Sequence, residues 1–440
     1  ATCEDFVKAI EDGGAVDLSQ FRNWYSNAGT PRVDVTIGDD GEDTVLTVTQ
    51  AIGLKGAEPQ PSAMVIPLKV ALLDPQTGKH EGEQTLIIDK SEQTFRFPSG
   101  GKRPVLSLNR GFSAPIILSS NRTPDDYAFL SAHDDDEFAR FEAMQQLVSE
   151  HLLAVIAGER RSAEQLVAAV RASFSATRLD KAIVAELVKL PTESFLGEQM
   201  AVIDPEAVCS ARKGLEREIG EALIEQWRTL VAELSARPFA LTGEAKAQRR
   251  LLGVALAYLA AGAPDDGAKA AFAIYESADN MTNRLAALNA LRDGDSAERQ
   301  EAFDDFYERY HADDLVLDKW FTLQAFAQRP DTLERVAELR RHPDFKLSNP
   351  NRVRALYAAL AQNALCFHDA SGTGYRLLAD LIIELDGRNP QTAARMVPAL
   401  GRWRRFDEER AAKMRAELER IKATPNLSRD TAEQVIKSLG

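Results

Sequence analysis

The chain has 440 residues, 44% hydrophobic and 27% charged, which is the composition of a globular protein long enough for two or three domains. Its net charge of −14, with no block rich in Lys or Arg, argues against a nucleic-acid partner, because a phosphate backbone would be repelled. No apolar run approaches the roughly 20 residues of a membrane helix, so no membrane partner is expected either.

The cysteines and the N-terminus bear on location. Cys3, Cys209 and Cys366 are odd in number and far apart, which predicts reduced thiols in a cytoplasmic protein. The first residues have no basic region followed by an apolar stretch, so no signal peptide is expected.

Residues 1–31 are predicted to form a short amphipathic helix, from Glu4 to about Glu11, and a second helical turn after Asp17. This piece is too small for a core of its own and must pack on something else. Residues 32–118 carry strand patterns separated by Gly, Pro and Asp, with clear alternation of apolar and polar residues in 32–37 and 44–49. About seven short strands within roughly 90 residues indicate a β-sandwich.

Residues 119–440 are rich in Leu, Ala, Glu and Arg, with apolar residues at helical spacing. One such stripe is formed by Phe138, Phe141, Met144 and Leu147. We expect about fifteen helices with short loops, an arrangement that favours a stacked helical solenoid over one closed bundle.

Motifs that would carry chemistry are missing from the sequence. His80-Glu81-Gly82-Glu83-Gln84 begins like the zinc motif HExxH but lacks the second His, and its Gly favours a hairpin loop. The acidic run after His133 could bind a hard cation, but capping of a helix N-terminus is the better interpretation. There is no GxSxG, P-loop or GxGxxG motif, so no catalytic residue and no metal ligand is expected in this chain.

Several strings nevertheless resemble one family, in order and over nearly the whole chain. They are WYSNAGTP at 24–31, EFARFEA at 137–143, DNMT at 279–282, LDKWF at 317–321, SNPNR at 348–352 and RNPQ at 388–391. Together they resemble bacterial-type aminopeptidase N of the M1 zinc-metallopeptidase family, with Phe141 in a place where Trp is usual. The chain resembles the C-terminal half of such an enzyme, without its N-terminal and catalytic domains.

The resemblance implies a multidomain fold in which an immunoglobulin-like β-sandwich (32–118) precedes an all-α superhelical domain of armadillo/HEAT type (119–440). Residues 1–31 would then be the tail of the catalytic domain, which would lie N-terminal to Ala1. The parent enzyme would use zinc to remove N-terminal residues from peptides, with the helical domain capping the active site. This chain alone is expected to bind no zinc and to be inactive.

The resemblance also implies three peptide contacts, namely Arg352, Arg395 and Gln391. Pro350 and Pro390 each suit the first position of a helix, which would place both arginines in the first two turns of separate helices. An arginine offers a forked, always-charged donor for a peptide carbonyl or carboxylate. The alternative is that both arginines pair with acids between helices.

A different class of function also remains open at this point, a stand-alone β-sandwich and helical-repeat scaffold that binds a protein partner.

Overall fold

The computed structural model describes residues 2–52, 63–99, 103–176 and 179–440. The chain divides into two compact units. The first comprises the residues up to Leu147 together with Ala168–Leu179, and the second comprises Val148–Val167 and Asp180–Gly440.

The first unit contains two short helices, seven strands and the first helices of the α-rich region. Its elements are α1 (Cys3–Gly14), α2 (Asn23–Ser26), β1 (Arg32–Asp39), β2 (Asp43–Ala51), β3 (Ile66–Leu73), β4 (Gln84–Ile88), β5 (Glu92–Pro98), β6 (Val105–Leu108), β7 (Ile117–Ser120), α3 (Pro124–His133), the beginning of α4 (Glu137–Ile156) and the later part of α5 (Glu164–Ser175). One sheet has the order β5-β2-β1-β7 and the other β4-β3-β6. The predicted immunoglobulin-like sandwich is confirmed.

The alternation in the sequence matches the burial of the strands. In β1 and β2, every second side chain lies in a shared core, which includes Val33, Val35, Leu46 and Val48. The sequence pattern did not single out β6, because all four of its residues are buried and no alternation remains.

The segment before the sandwich packs on it, as its small size required. Trp24 packs against the core of the sandwich, and its indole N–H donates to the Val65 carbonyl at 3.0 Å. Arg22 in turn forms ion pairs with Glu4 and Glu11 of α1 at 2.7 and 2.8 Å. The same side chain therefore ties α1 to the turn that precedes α2.

The acidic residues between α3 and α4 cap a helix and bind the guanidinium of Arg110. Asp136 accepts the Ala139 backbone N–H at 2.8 Å, which is the helix cap that the sequence indicated. Asp134 and Asp135 both bind Arg110, which follows β6 and is almost fully buried. The sandwich and the start of α4 are thus joined within the first unit.

The second unit is helical. Because several of its helices are very short, it contains more helices than the roughly fifteen that the sequence predicted for the whole α-rich region. Besides the end of α4 and the start of α5 (Glu164–Ser175), its helices are α6 (Lys181–Leu187), α7 (Glu193–Gln199), α8 (Pro205–Ala222), α9 (Ile224–Ser235), α10 (Gly243–Gly262), α11 (Pro264–Ser277), α12 (Met281–Leu291), α13 (Ala297–Tyr310), α14 (Asp314–Ala325), α15 (Thr332–Leu339), α16 (Pro350–Val353), α17 (Ala359–Gln362), α18 (Ala364–Phe367), α19 (Thr373–Asp386), α20 (Pro390–Met396), α21 (Pro398–Gly401), α22 (Glu408–Lys422) and α23 (Arg429–Leu439). The predicted all-helical, armadillo-like domain is confirmed.

Helices α8 and α10 meet at two glycines. A Cβ on Gly220 would lie 2.5 Å from the Tyr258 carbonyl oxygen, and a Cβ on Gly262 would lie 2.3 Å from the Gly220 carbonyl carbon. The Trp227 and Tyr258 rings stack beside this contact with centroids 4.5 Å apart. The two backbones approach so closely that a side chain at either glycine has no room.

The second unit also joins its early and late helices directly. Ile203 donates its backbone N–H to the Arg405 carbonyl at 2.7 Å, and Arg405 pairs with Glu198 at 3.1 Å. Arg402 binds the same carboxylate. We call this contact between residues 197–206 and 402–410 the clasp.

Aromatic side chains pack beside the clasp. Phe406, 9% exposed, stacks on His368 with ring centroids 4.1 Å apart. The His368 Nδ1 lies 2.9 Å from the Tyr375 hydroxyl, and Arg410 donates to the His368 carbonyl at 2.7 Å. In an open solenoid each repeat contacts only its neighbours, whereas here segments about 200 residues apart are hydrogen-bonded.

Candidate functional site

A groove of about 380 Å³ runs between α14 and the helical stretch of residues 350–362. Its walls combine small apolar side chains with polar ones from both helices. The lining residues are Thr322, Phe326, Asn351, Arg354, Ala355, Ala358, Ala359 and Gln362. Ala355 and Ala359 are buried, while Asn351, Arg354 and Gln362 are exposed.

The helical stretch under this groove is interrupted by a π-helical turn, Arg354–Ala358. Such turns occur frequently at functional sites, because they shift which side chains share a face. Arg354 begins the π turn, and its guanidinium donates to the Asn351 side-chain oxygen. The groove therefore has a cation at its rim.

Arg352 lies two residues earlier and points elsewhere. It is 2% exposed, with its guanidinium bound to Asp318, to Asp314 at 3.0 Å and to the Asp344 carbonyl. The guanidinium also lies 4.9 Å from the centroid of the Phe321 ring. This geometry favours the alternative of an arginine paired with acids between helices, and the peptide contact stays a prediction.

Gln391 and Arg395 lie one turn apart on α20, and both are exposed. The helix begins as predicted, with Pro390 in its first turn and the Asn389 side chain accepting the Thr392 N–H at 3.1 Å. Within the residues that the structure describes, neither Gln391 nor Arg395 has a side-chain hydrogen bond or ion pair. Both are therefore available to a ligand, and their peptide contacts stay predictions.

The sequence reasoning missed Arg354, although a signal for it was present. Positions 351, 354, 355, 358, 359 and 362 follow the spacing of one helix face, whereas position 352 lies about a quarter turn away from the middle of that face. Asn349 caps the helix by accepting the Arg352 N–H at 3.3 Å, so the cap itself was predicted correctly.

The described residues do not fit a zinc ion. No group of three or more His, Cys, Asp or Glu side chains comes together among them in a way that could hold a metal. His80 lies in the loop between β3 and β4, with its Nε2 3.1 Å from Asp135. Burial raises the pKa of the Cys209 and Cys366 thiols, which makes them poor nucleophiles.

None of the described helices is both long and apolar enough to cross a bilayer.

The fold and the site define a class of protein, in which an immunoglobulin-like sandwich carries a large armadillo-type helical domain with an arginine-rimmed groove. Two family models match the chain, an Ig-like domain of unknown function (DUF3458) at residues 29–121 and an ARM-repeat domain of unknown function (DUF3458_C) at residues 124–440. The chain belongs to this family and is homologous to the C-terminal part of aminopeptidase N.

Relatives match along the entire chain. Aminopeptidase N of Escherichia coli strain K12 is 34% identical and that of Caulobacter vibrioides 36%, in each case over 100% of this chain and 52% of the relative. The crystal structure of Legionella pneumophila aminopeptidase A in complex with aspartic acid superposes with a TM-score of 0.87 at 29% identity, again covering 100% of this chain and 52% of the other. The chain thus spans about half the length of the relatives it matches.

Proposed function

We propose that the chain is the non-catalytic C-terminal portion of a zinc-dependent aminopeptidase that removes N-terminal residues from peptides. The observation that carries this proposal is the match of the whole chain to about half of several aminopeptidases, at 29–36% identity. The zinc would be held by the other half, since the described residues offer no ligand set. Three free cysteines agree with a cytoplasmic location.

In this proposal the helical unit caps the active site, restricts access to it and contacts the peptide. Arg395 and Gln391 supply unpaired polar groups on one helix face, and Arg354 supplies a guanidinium at the rim of the groove. A guanidinium can donate two parallel hydrogen bonds to a carboxylate or bind peptide carbonyls. Gln391 can both donate to and accept from a peptide bond.

Arg352 has a supporting role in this scheme. Its guanidinium is saturated by α14 and by the chain near Asp344, so it fixes the start of the helix that carries Arg354. The peptide contact predicted for Arg352 would require those ion pairs to open.

The test uses the longer protein and compares substrates of different length. Arg354→Ala, Arg395→Ala and Gln391→Ala are each assayed on an alanyl-amide chromogenic substrate and on peptides of about six residues. Because the contacts lie away from the bond that is cut, we expect the arginine variants to lose roughly tenfold in kcat/KM on long peptides, about 1.4 kcal/mol, and almost nothing on the short substrate. The glutamine variant should lose less, since it removes no charge.

Arg429→Ala is the matched control, because Arg429 is also exposed on the second unit and has no side-chain partner among the described residues. Losses of equal size on short and long substrates, or losses shared by the control, would contradict a peptide-contacting role. If the longer protein had no peptidase activity, the alternative function, a β-sandwich and helical-repeat scaffold that binds a protein partner, would be favoured instead.

A further inference from the structure

A second groove of about 520 Å³ lies in the helical unit, formed by residues other than those of the candidate site. It is bounded by the connection from α9 to α10 and by the start of α12. The lining residues are Phe239, Leu241, Lys246, Arg249, Asp279, Asn280, Met281 and Thr282.

The apolar side chains of this groove are unusually open to solvent. Leu241 is 72% exposed and Phe239 46%. Exposed apolar side chains that cluster in a concave surface mark contact sites more often than single exposed residues do. Met281 extends the same surface from the first residue of α12.

The loop that carries these side chains is fastened to its neighbours. Arg249 donates to the Ala240 carbonyl at 2.9 Å, and its guanidinium lies 5.0 Å from the centroid of the Phe239 ring. Because Arg249 binds the loop between Phe239 and Leu241, these two side chains are presented in a defined position, which lowers the entropic cost of binding.

The charges around the apolar patch favour an anion. Lys246 is exposed and has no partner in the part of the chain that the structure describes, and Arg249 adds a second cation. The single carboxylate of the lining, Asp279, already accepts a hydrogen bond from the Asn280 side-chain amide at 2.9 Å. Positive charge beside an apolar patch is notable on a chain whose net charge is −14.

We propose that this groove binds a peptide segment in which an apolar side chain stands next to a carboxylate. The apolar side chain packs on Leu241, Phe239 and Met281, while the carboxylate pairs with Lys246. Charge complementarity selects an acidic segment, because the lining carries two cations and its one carboxylate is already hydrogen-bonded. The proposal is independent of the contacts proposed for Arg354 and Arg395.

The experiment measures fluorescence anisotropy of a fluorescein-labelled hexapeptide, Asp-Phe-Asp-Leu-Gly-Gly, titrated with the 440-residue chain. We expect saturable binding that weakens with salt, because an ion pair contributes. The peptide Lys-Phe-Lys-Leu-Gly-Gly and the peptide Asp-Ser-Asp-Ser-Gly-Gly should each bind at least tenfold more weakly. Equal binding of the basic or the serine peptide would overturn the proposal.

Variants locate the site. Leu241→Ser and Lys246→Glu should each weaken binding of the acidic peptide at least tenfold, and both positions are exposed enough to leave folding intact by circular dichroism. Lys269→Glu is the control, because Lys269 is exposed on α11 outside the groove, and it should bind as the parent does.

The remaining outcomes also decide the question. Unchanged affinity in both groove variants would overturn the proposal, as would loss of binding in Arg395→Ala alone. Sedimentation that showed a dimer dissociated by Leu241→Ser, without any peptide binding, would assign the patch to a second copy of this chain instead.

Discussion

The guanidinium of Arg352 binds the carboxylate of Asp318, and this ion pair joins α14 to the start of α16 with the arginine side chain 2% and the aspartate side chain 15% exposed. Two residues further along, Arg354 stands at the rim of a groove. Of these two arginines, Arg352 is therefore buried and links two helices, whereas Arg354 is an exposed hydrogen-bond donor.

Replacing Arg352 by Ala should therefore lower stability. The change leaves the shielded Asp318 carboxylate without its partner, and breaking a buried ion pair in this way costs about 3 kcal/mol. The midpoint of urea unfolding, followed by tryptophan fluorescence, measures the loss. Arg354→Ala is the control and should stay within about 0.5 kcal/mol of the parent. If the Arg352→Ala variant were as stable as the parent, the structural role would be wrong and the predicted peptide contact of Arg352 would be favoured.

Alanine at Gly220 should destabilise the helical unit, because its Cβ would lie 2.5 Å from the Tyr258 carbonyl oxygen and 2.8 Å from the Gly262 nitrogen. Overpacking against backbone costs about 1–3 kcal/mol. Gly214 lies in the same helix, and a Cβ there would meet nothing within 4 Å, so Gly214→Ala should stabilise by up to about 1 kcal/mol through helix propensity. Thermal unfolding of the two variants should shift in opposite directions, and a shared direction would refute the close approach of α8 and α10.

His368 should make the protein acid-sensitive. Burial, with smaller effects from Arg410 and Arg402, lowers its pKa from 6.5 to about 3. The unfolded state therefore binds more protons than the folded state between these values. The stabilisation is complete above about pH 6.5 and is lost as the pH falls toward 3, by up to about 1.4 kcal/mol per pH unit.

The variant His368→Gln tests this effect, because it keeps a polar partner for Tyr375 but cannot titrate. The slope of unfolding free energy against pH between about 6.5 and 5 should be smaller in the variant than in the parent. Identical slopes would mean that His368 takes up its proton as readily in the folded as in the unfolded state, and would contradict the lowered pKa.

The clasp should open when the Phe406 ring beside it is removed. Phe406→Ala deletes a ring that is 9% exposed and stacked on His368, a change that typically costs about 3–5 kcal/mol. Amide hydrogen exchange should speed up at Ile203, whose N–H is bound by the Arg405 carbonyl. Phe195→Ala, at a position 52% exposed, should leave that exchange unchanged. Equal protection of Ile203 in both variants would show that the clasp does not depend on Phe406.

The sequence predicted the fold wherever local pattern and burial agree. Strands β1 and β2 alternate because one face of each is buried, and the helix start at Asn389-Pro390 is signalled by residues that act only on their own helix. Strand β6 was not singled out, because burial on both faces erases the alternation.

The choice between Arg352 and Arg354 depends on another helix. Both arginines stand near the same predicted helix start, and only the position of Asp314 and Asp318 decides which of them is drawn inward. The clasp is harder still to predict, since Glu198 and Arg405 are ordinary charged residues about 200 positions apart with no local signature.

The clasp also limits how this architecture can change in evolution. An open solenoid lengthens by duplicating a helix pair, because each new pair needs only a neighbour to stack on. In this unit the early and late helices are bound to each other, so an extra pair would force residues 197–206 and 402–410 apart by up to about 20 Å, the width of two packed helices. Descendants of this protein can therefore exchange exposed side chains along the array, but a gain or loss of whole helix pairs would cost them the closure.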